Sequence, residues 1–188
     1  MQLPSPPRAE SDLALMALVA KRDARSQRAL VERLTPRVLR VARLLAGTSD
    51  GDDAAQLALI EILSSAASFR FDSSLEAWAD RVTVRTTLRL MRRERRRRNV
   101  LVRWLVPGTL PWTQREVALP HEPLGLETVL AQLSDARREA LVLRHALDFS
   151  VEEIAELTGS PLGTVKDRLV AARRQLRRLL ERDARRAP

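Results

Sequence analysis

The sequence has no cysteine, no tyrosine and only two histidines, His121 and His145. It therefore offers neither a disulfide framework nor the ligands of a usual zinc centre. Aromatic residues make up 3% of the 188 residues, which disfavours a β-sandwich core. No segment approaches the roughly 18 consecutive apolar residues that a membrane-spanning helix needs. The remaining composition, 45% hydrophobic and rich in Leu, Val and Ala, predicts an all-α protein of one domain or two small ones.

The first ten residues, MQLPSPPRAE, lack the apolar core of a signal peptide. We expect residues 1–10 to be a disordered N-terminus and the protein to be cytoplasmic.

Positive charge is segregated into two segments, within a net charge of +9. Nine arginines between Arg81 and Arg98 face one acid, Glu94, and nine basic residues between Gly163 and Arg186 face three acids. A solvated surface would normally mix the two signs. This distribution predicts a nucleic-acid or anionic-membrane partner.

The first half of the chain has helical periodicity throughout. Predicted helices cover residues 12–21 and 26–46, with a kink at Pro36 and an end at Gly47. A third helix opens in the acidic segment Thr48–Asp53, and a fourth starts at Ser73, which has capping-box spacing to Glu76. Their predicted apolar members are Leu30, Leu34, Val38, Val41 and Leu45, then Ala54, Leu57, Ala58, Ile60 and Leu63, then Leu75, Trp78, Val82 and Leu88.

Residues 99–126 contain four prolines and no sustained periodicity, which is typical of a flexible linker. Trp104 and Trp112 suggest that parts of it dock on another surface.

The second half predicts a helix-turn-helix. A helix over residues 133–147, with Ser134 as its cap, precedes a shorter helix that has a Ser150–Glu153 capping box and ends at Gly159. Ser160 as cap and Pro161 at the first helical position start the next, basic helix. Its apolar stripe is Val165, Leu169, Ala172, Leu176 and Leu179. A surface helical hairpin with incidental charge is the alternative.

In a helix-turn-helix the second helix enters the major groove. We therefore predict that Thr164, Lys166, Asp167 and Arg168 contact bases or phosphates. A second set is expected to bind phosphates: Arg173, Arg174 and Arg177.

Residues 133–177, LSDARREALVLRHALDFSVEEIAELTGSPLGTVKDRLVAARRQLR, resemble the C-terminal promoter-reading domain of bacterial sigma factors of the extracytoplasmic-function (ECF) group. Response-regulator output domains contain a similar helix-turn-helix, so this half alone leaves both families open. The segment DGDDAAQLALIEIL resembles the ECF helix that binds the polymerase clamp, although Leu57 and Leu63 depart from the family pattern. The resemblance implies that core RNA polymerase contacts Asp50, Asp52, Asp53, Gln56 and Ile60.

The segment FRFDSSLEAW resembles the ECF loop and helix that capture an unpaired base of the −10 element. The implied −10 contacts are Phe69, Arg70, Asp72, Ser73 and Trp78, followed by Arg81 and Arg85. Arg85 stands where the family usually has asparagine, and Trp78 could equally anchor the core. The arginine-rich segment that follows could be a phosphate track, a solvated helix end or a membrane-surface patch.

The resemblance implies a sigma factor made of two small helical domains on a flexible linker. The expected parts are a region 2 domain over residues 11–98, the linker over 99–126, a region 4 helix-turn-helix over 127–182 and a tail over 183–188. The implied partners are the clamp and flap regions of core RNA polymerase, promoter DNA with its −35 and −10 elements, and an anti-sigma factor that could hold the protein at the membrane. We expect no catalytic residue, no cofactor, no metal and no stable membrane insertion. The alternative, a stand-alone helix-turn-helix regulator, predicts a sensory half with alternating strands, whereas residues 11–98 show helical periodicity.

Overall fold

The computed structural model describes residues 8–70, 72–105 and 126–184. Within these ranges the chain forms eight α-helices and one 3₁₀ turn, and it has no strand. The helices are α1 (Arg8–Ala20), α2 (Ala24–Ala46), α3 (Thr48–Ser64), α4 (Leu75–Leu105), α5 (Leu126–Ala131), α6 (Asp135–His145), α7 (Val151–Thr158) and α8 (Leu162–Ala184), and the 3₁₀ turn is Ala66–Ser68. The predicted all-α class is confirmed.

Several helix ends differ from the prediction. Helix α1 begins at Arg8, before the predicted residue 12, and α4 continues through residues 99–105 of the predicted linker. The first proline after the arginine-rich segment is Pro107, so the sequence places no helix-breaking residue before Leu105. Residues 106–125, which include Trp112, lie outside the described residues, and a flexible linker there stays a prediction.

The chain divides into two compact units. The first joins residues up to Arg43 with Ser49–Thr87, and the second joins Leu44–Thr48 with the residues from Leu88 onward. This division falls inside α4, at a different place from the predicted boundary at residue 98. The functional domain boundaries stay predictions, because compactness does not establish which residues act together.

The predicted apolar stripe of α2 is buried along its whole length, which confirms that part of the core. It consists of Leu30, Leu34, Val38, Val41 and Leu45. Helix α3 buries Ala54, Ala58 and Ile62 but leaves Leu57 and Ile60 exposed, at 45% and 62%. The apolar residues listed for this helix therefore do not all belong to the core, and the exposure of Ile60 leaves it accessible to a partner.

Arginine–carboxylate pairs join three helices of the first unit. Arg33 of α2 donates to Asp12 of α1 at 2.5 Å and to Glu76 of α4 at 2.7 Å. One turn later, Arg37 donates to Asp80 of α4 at 2.6 Å. Since Asp12 and Asp80 are buried, these guanidinium groups satisfy carboxylates that would otherwise be costly to remove from water. Hydrogen bonds to Asp12 and Glu76 raise the pKa of Arg33.

In the second unit, α7 and α8 form the predicted helix-turn-helix against α6. Ile154 of α7 is buried, as are Val165, Leu169 and Ala172 of the predicted α8 stripe. The last two residues of that stripe, Leu176 and Leu179, are half-buried. The capping box of α7 is complete: the Glu153 N–H donates to the Ser150 hydroxyl, and the Ser150 N–H donates to the Glu153 carboxylate.

Candidate nucleic-acid interface

The turn between α7 and α8 depends on a glycine in the left-handed conformation. Gly159 has φ +62°, which only glycine adopts without strain. Its N–H donates to the Glu156 carbonyl at 3.2 Å, and the Ser160 N–H donates to the Ala155 carbonyl at 3.0 Å, which satisfies the last carbonyls of α7. The predicted end of this helix at Gly159 is confirmed.

The start of α8 differs from the prediction by one residue. Pro161 precedes the helix, which begins at Leu162, and the Pro161 carbonyl accepts the first helical bond from the Val165 N–H. The Ser160 hydroxyl does not cap the helix. It accepts a hydrogen bond from the Arg168 guanidinium at 2.7 Å. Arg168, a predicted DNA contact, therefore braces the turn in this structure.

The other predicted contacts on α8 face away from its buried stripe. Thr164 is half-buried, and the exposed residues are Lys166, Asp167, Arg173, Arg174 and Arg177. A cationic, solvent-facing second helix of a helix-turn-helix has the chemistry needed for major-groove binding, because it offers donors to base edges and charge to phosphates.

The predicted −10 residues fall into two groups. Phe69 is buried, with 8% exposure, and its ring meets Trp78 edge-on at a centroid distance of 5.6 Å. Trp78 and Ser73 are half-buried. The exposed members of the set are Arg70, Asp72, Arg81 and Arg85. Phe69 thus packs against Trp78, and the cations lie at the surface.

Ser74, rather than the predicted Ser73, caps α4. The Ser74 hydroxyl accepts from the Ala77 N–H at 3.2 Å, and the Ser74 carbonyl accepts from the Trp78 N–H at 3.0 Å. The predicted partner of the capping box, Glu76, instead binds Arg33. A long-range ion pair with a partly buried arginine outweighs a local bond to the backbone here.

Helix α3 presents an exposed face that contains most of the predicted polymerase contacts. Asp50, Asp53, Gln56 and Ile60 are exposed. Leu57, one turn before Glu61, is also exposed and adds a second apolar residue to this face beside Ile60. Asp52 differs from the others, since it accepts from Arg43 at 2.7 Å. That hydrogen bond lowers the pKa of Asp52 and holds the carboxylate against α2.

Gly51 has a role that the sequence analysis missed. A Cβ at this position would lie 2.7 Å from the Arg43 Cα, closer than any side chain can approach a backbone. Glycine therefore allows the first turn of α3 to pack directly on the last turns of α2. A glycine inside a helical pattern was the available signal.

Some arginines in the arginine-rich segment of α4 donate hydrogen bonds to protein acceptors within the second unit. Arg92 donates to the Leu157 carbonyl at 2.5 Å, and Arg95 donates to Asp135 and to Glu139, the latter at 2.7 Å. Arg97 forms a longer pair with Glu94 at 3.4 Å. The sequence offered no signal for the contacts of Arg92 and Arg95, because their partners lie at least forty residues away in the chain.

In the part of the chain that the structure describes, no group of His, Cys, Asp or Glu side chains could hold a metal ion. Across the same residues, no helix combines the length and apolar character needed to cross a membrane.

Comparisons with known proteins extend over both units. Residues 30–97 match the family described as Sigma-70 region 2, and residues 124–176 match Sigma-70, region 4. ECF RNA polymerase sigma factor SigM of Mycobacterium tuberculosis H37Rv is 31% identical over 171 residues, covering 90% of this chain and 85% of SigM. ECF RNA polymerase sigma factor EcfG of Rhodopseudomonas palustris is 33% identical over 142 residues, covering 72% and 75% of the two chains.

Solved structures show the same fold. CnrH, in complex with the cytosolic domain of CnrY, matches with a TM-score of 0.53 and 25% identity over 92% of this chain and 98% of CnrH. The sigma factor RpoE of Bartonella quintana, in complex with the anti-sigma factor NepR, matches with a TM-score of 0.56 and 24% identity over 82% and 96%. The described residues of the first half are helical, whereas a sensory domain of the alternative kind would contain strands. The chain belongs to the ECF RNA polymerase sigma factors, which bind core RNA polymerase and direct it to promoters.

Proposed function

We propose a division of labour in which α8 reads the −35 element, the start of α4 binds the −10 element and α3 binds core RNA polymerase. The observation that carries it is the α7–Gly159–α8 helix-turn-helix, whose second helix buries one stripe and exposes cations on the rest of its surface.

On α8, Thr164, Lys166 and Asp167 lie in the first two turns, where a recognition helix contacts bases. Arg173, Arg174 and Arg177 follow one to three turns later and supply charge to the phosphates. Arg168 contributes to −35 binding in one of two ways. It braces the turn through its hydrogen bond to Ser160, or it releases Ser160 and binds DNA when the complex forms.

At the −10 element, the half-buried Trp78 and Ser73 form the floor of the contact, and Phe69 holds Trp78 in place. The surface cations Arg70, Arg81 and Arg85 bind the strand that carries the captured base, and Asp72 offers acceptors to it.

On α3, Asp53 and Gln56 supply polar contacts to the clamp, and Ile60 supplies an apolar one. Asp50 lies at the helix start, and Asp52 contributes by fixing α3 against α2 through Arg43. Leu57 enlarges the apolar part of this face, which suits a clamp surface with an apolar patch.

We further propose that the protein is a non-catalytic cytoplasmic initiation factor restrained by an anti-sigma factor. The structure of CnrH contains a second protein, the cytosolic domain of CnrY, which supports a protein regulator for this chain as well.

The test measures −35 preference with core polymerase on a library of promoter variants. We expect Lys166→Ala to relax the preference, because a lost base contact removes about 1–3 kcal/mol of discrimination. Arg177→Ala should lower affinity on all sequences alike and leave the ranking unchanged, because phosphate contacts carry no sequence information. An unchanged ranking with Lys166→Ala, at unchanged thermal stability, would refute the assignment of α8.

A further inference from the structure

Helix α1 exposes an apolar surface that the core does not use. Asp12, Met16 and Val19 are buried in the first unit. From residue 11 to residue 20, the exposed side chains are Ser11, Leu13, Ala14, Ala17, Leu18 and Ala20. None of these is charged, although charged residues make up 30% of the sequence. A contiguous exposed apolar surface is a common mark of a binding site.

The apolar residues lie on one side of α1. At about 100° per residue, Leu13, Ala17, Ala14 and Leu18 follow one another around an arc of about 140°. The two leucines form the edges of this apolar arc and are 42% and 47% exposed. The alanines between them are small, so the leucines project furthest from the helix.

Four exposed cations follow the apolar arc directly in the chain. They lie in the turn between α1 and α2 and at the start of α2, and they are Lys21, Arg22, Arg25 and Arg28. The one acid among them, Asp23, accepts a hydrogen bond from the Ser26 N–H at 2.7 Å. Among the described residues, none of these four cations forms an ion pair. Their charge is therefore available to an external anion.

Arg22 has a backbone conformation that favours glycine. Its φ is +63°, and its N–H donates to the Val19 carbonyl at 2.9 Å. The Asp23 N–H donates to the Leu18 carbonyl at 3.1 Å, which completes a helix end where glycine is the usual residue. Any side chain costs free energy in this conformation, and such strain is concentrated at functional sites. What Arg22 adds over glycine is a cation next to the end of α1.

An anionic lipid bilayer satisfies both parts of this surface. Its phosphate groups supply counter-charge to the cations, and its acyl chains accept the leucines. Nucleic acid would pair with the cations but has no apolar layer for Leu13 and Leu18. A second copy of this surface would cover the apolar arc but would add cations.

The mobility of the cationic side chains also favours a lipid surface over a folded protein. Among the described residues, no hydrogen bond within the protein holds any of the four side chains in place. Long, unrestrained cations can follow headgroups that move laterally, whereas binding to the fixed carboxylates of one protein would cost the entropy of ordering them.

We infer that α1 and the turn after it dock on the surface of an anionic membrane. Helix α1 lies along the surface with its apolar arc at the boundary between headgroups and acyl chains, and the four cations bind lipid phosphates. None of the residues assigned above to DNA or polymerase belongs to this surface, so the inference does not depend on those assignments.

The first test locates the contact with vesicles made of equal parts of phosphatidylglycerol and phosphatidylcholine. Because the chain has no cysteine, Ala17→Cys introduces a unique thiol for a polarity-sensitive fluorophore. Val170→Cys carries the same fluorophore on α8, where Val170 is 64% exposed. We expect the emission of the Ala17 probe to shift to the blue on these vesicles and to stay unchanged on phosphatidylcholine alone. The Val170 probe should shift less.

The second test removes charge from the surface. Arg25→Ala with Arg28→Ala should weaken co-sedimentation with the anionic vesicles about tenfold, because each cation near an anionic membrane contributes to binding. The matched control, Arg173→Ala with Arg177→Ala, removes the same charge from α8 and should change vesicle affinity by about twofold or less. Transcription with core polymerase should be retained by the first variant and reduced in the control. Equal losses of vesicle affinity would mean that net charge alone governs binding, which contradicts the inference.

The third test removes the apolar edges of the arc. Leu13→Gln with Leu18→Gln should also weaken vesicle binding about tenfold and should abolish the shift of the Ala17 probe. Both leucines are exposed, so circular dichroism should show unchanged helix content. Unchanged vesicle affinity would show that the apolar arc does not enter the bilayer.

Arg22→Gly separates binding from stability. Glycine relieves the strain at positive φ, so the melting temperature should rise. The loss of one cation should lower vesicle affinity about fivefold. A residue with only a structural role would not give these opposite changes, and unchanged vesicle affinity would contradict the role of this cation.

Three results with the fluorescent probes would overturn the inference: no shift at Ala17 on anionic vesicles, an equal shift on neutral vesicles, or a larger shift at Val170. In the first case, a shift on a DNA duplex of unrelated sequence would assign the surface to nucleic acid. A shift on core polymerase alone would assign it to a protein partner.

Discussion

At the scale of single residues, Arg33 joins three helices of the first unit. It bridges α1 and α4 from its position on α2, and its partner Asp12 is 5% exposed. A buried carboxylate without its cation would have to remain unpaired or take up a proton, and both alternatives cost free energy.

We expect Arg33→Ala to lower the free energy of unfolding by about 2 kcal/mol, below the range for fully buried pairs because Arg33 is partly exposed. Chemical denaturation followed by circular dichroism measures the change. Arg40→Ala, an exposed arginine on the same helix, is the control and should change stability by less than about 0.5 kcal/mol. Equal effects of the two substitutions would show that the bridge contributes nothing.

At the scale of elements, two glycines of the helix-turn-helix differ in backbone conformation, so alanine should affect them in opposite ways. Gly159 occupies a left-handed conformation, whereas Gly163 lies in the first turn of α8 and has open space around its Cα. Neither position would crowd a methyl group, so backbone conformation alone separates them.

Gly159→Ala should therefore destabilise the protein by about 1 kcal/mol, because a Cβ is strained at positive φ. Gly163→Ala should stabilise it by roughly 0.5 kcal/mol, since alanine loses less backbone entropy in a helix. Thermal unfolding of both variants provides the comparison. Shifts of the same sign would contradict the conformational explanation.

Helical periodicity predicted the elements where one face is clearly apolar. The stripes of α2 and α8 and the capping box of α7 followed from residue spacing alone. On α3, periodicity could not separate the buried Ile62 from the exposed Ile60, because apolar residues surround much of that helix. The end of α4 was missed because residues 99–105, NVLVRWL, are mostly apolar and show no helical period. The short α5 offers too few turns to show a period.

The sequence predicts which residue types the candidate site contains, but it predicts only in part which residues bond to one another. Exposed cations on α8 and polar residues on α3 were expected, since sequence reveals which residues a helix offers. The bonds from Arg168 to Ser160, from Asp52 to Arg43 and from Glu76 to Arg33 depend on tertiary packing. Each of them gives a residue a partner that local sequence does not reveal.

At the scale of the whole molecule, counting arginines overstates the charge that α4 can offer to a polyanion. Arg92 and Arg95 already have protein acceptors, whereas Arg93 and Arg96 are exposed. If the segment is a phosphate track, the exposed pair should carry most of the salt dependence.

We expect Arg93→Ala with Arg96→Ala to reduce the slope of log affinity against log salt concentration by about 2, given roughly 0.9 per phosphate contact. Arg95→Ala should change the slope by less, because its guanidinium is bound to Asp135 and Glu139. Promoter binding by the polymerase holoenzyme is measured over a range of salt concentrations. A larger effect from Arg95→Ala would mean that DNA displaces its carboxylate partners.

The arginine bridges between α2 and α4 also determine the alignment of these two helices. Arg33 and Arg37 are one turn apart, as are their partners Glu76 and Asp80, so the helices run in the same direction where they meet. A slide of one turn, about 5.4 Å, could still pair one arginine with one carboxylate. It would also separate Arg33 from Asp12 and leave a second carboxylate without a cation. Apolar side chains alone tolerate such a slide, whereas these ion pairs form together in a single register. The −10 residues at the start of α4 therefore keep one position along the axis of α2.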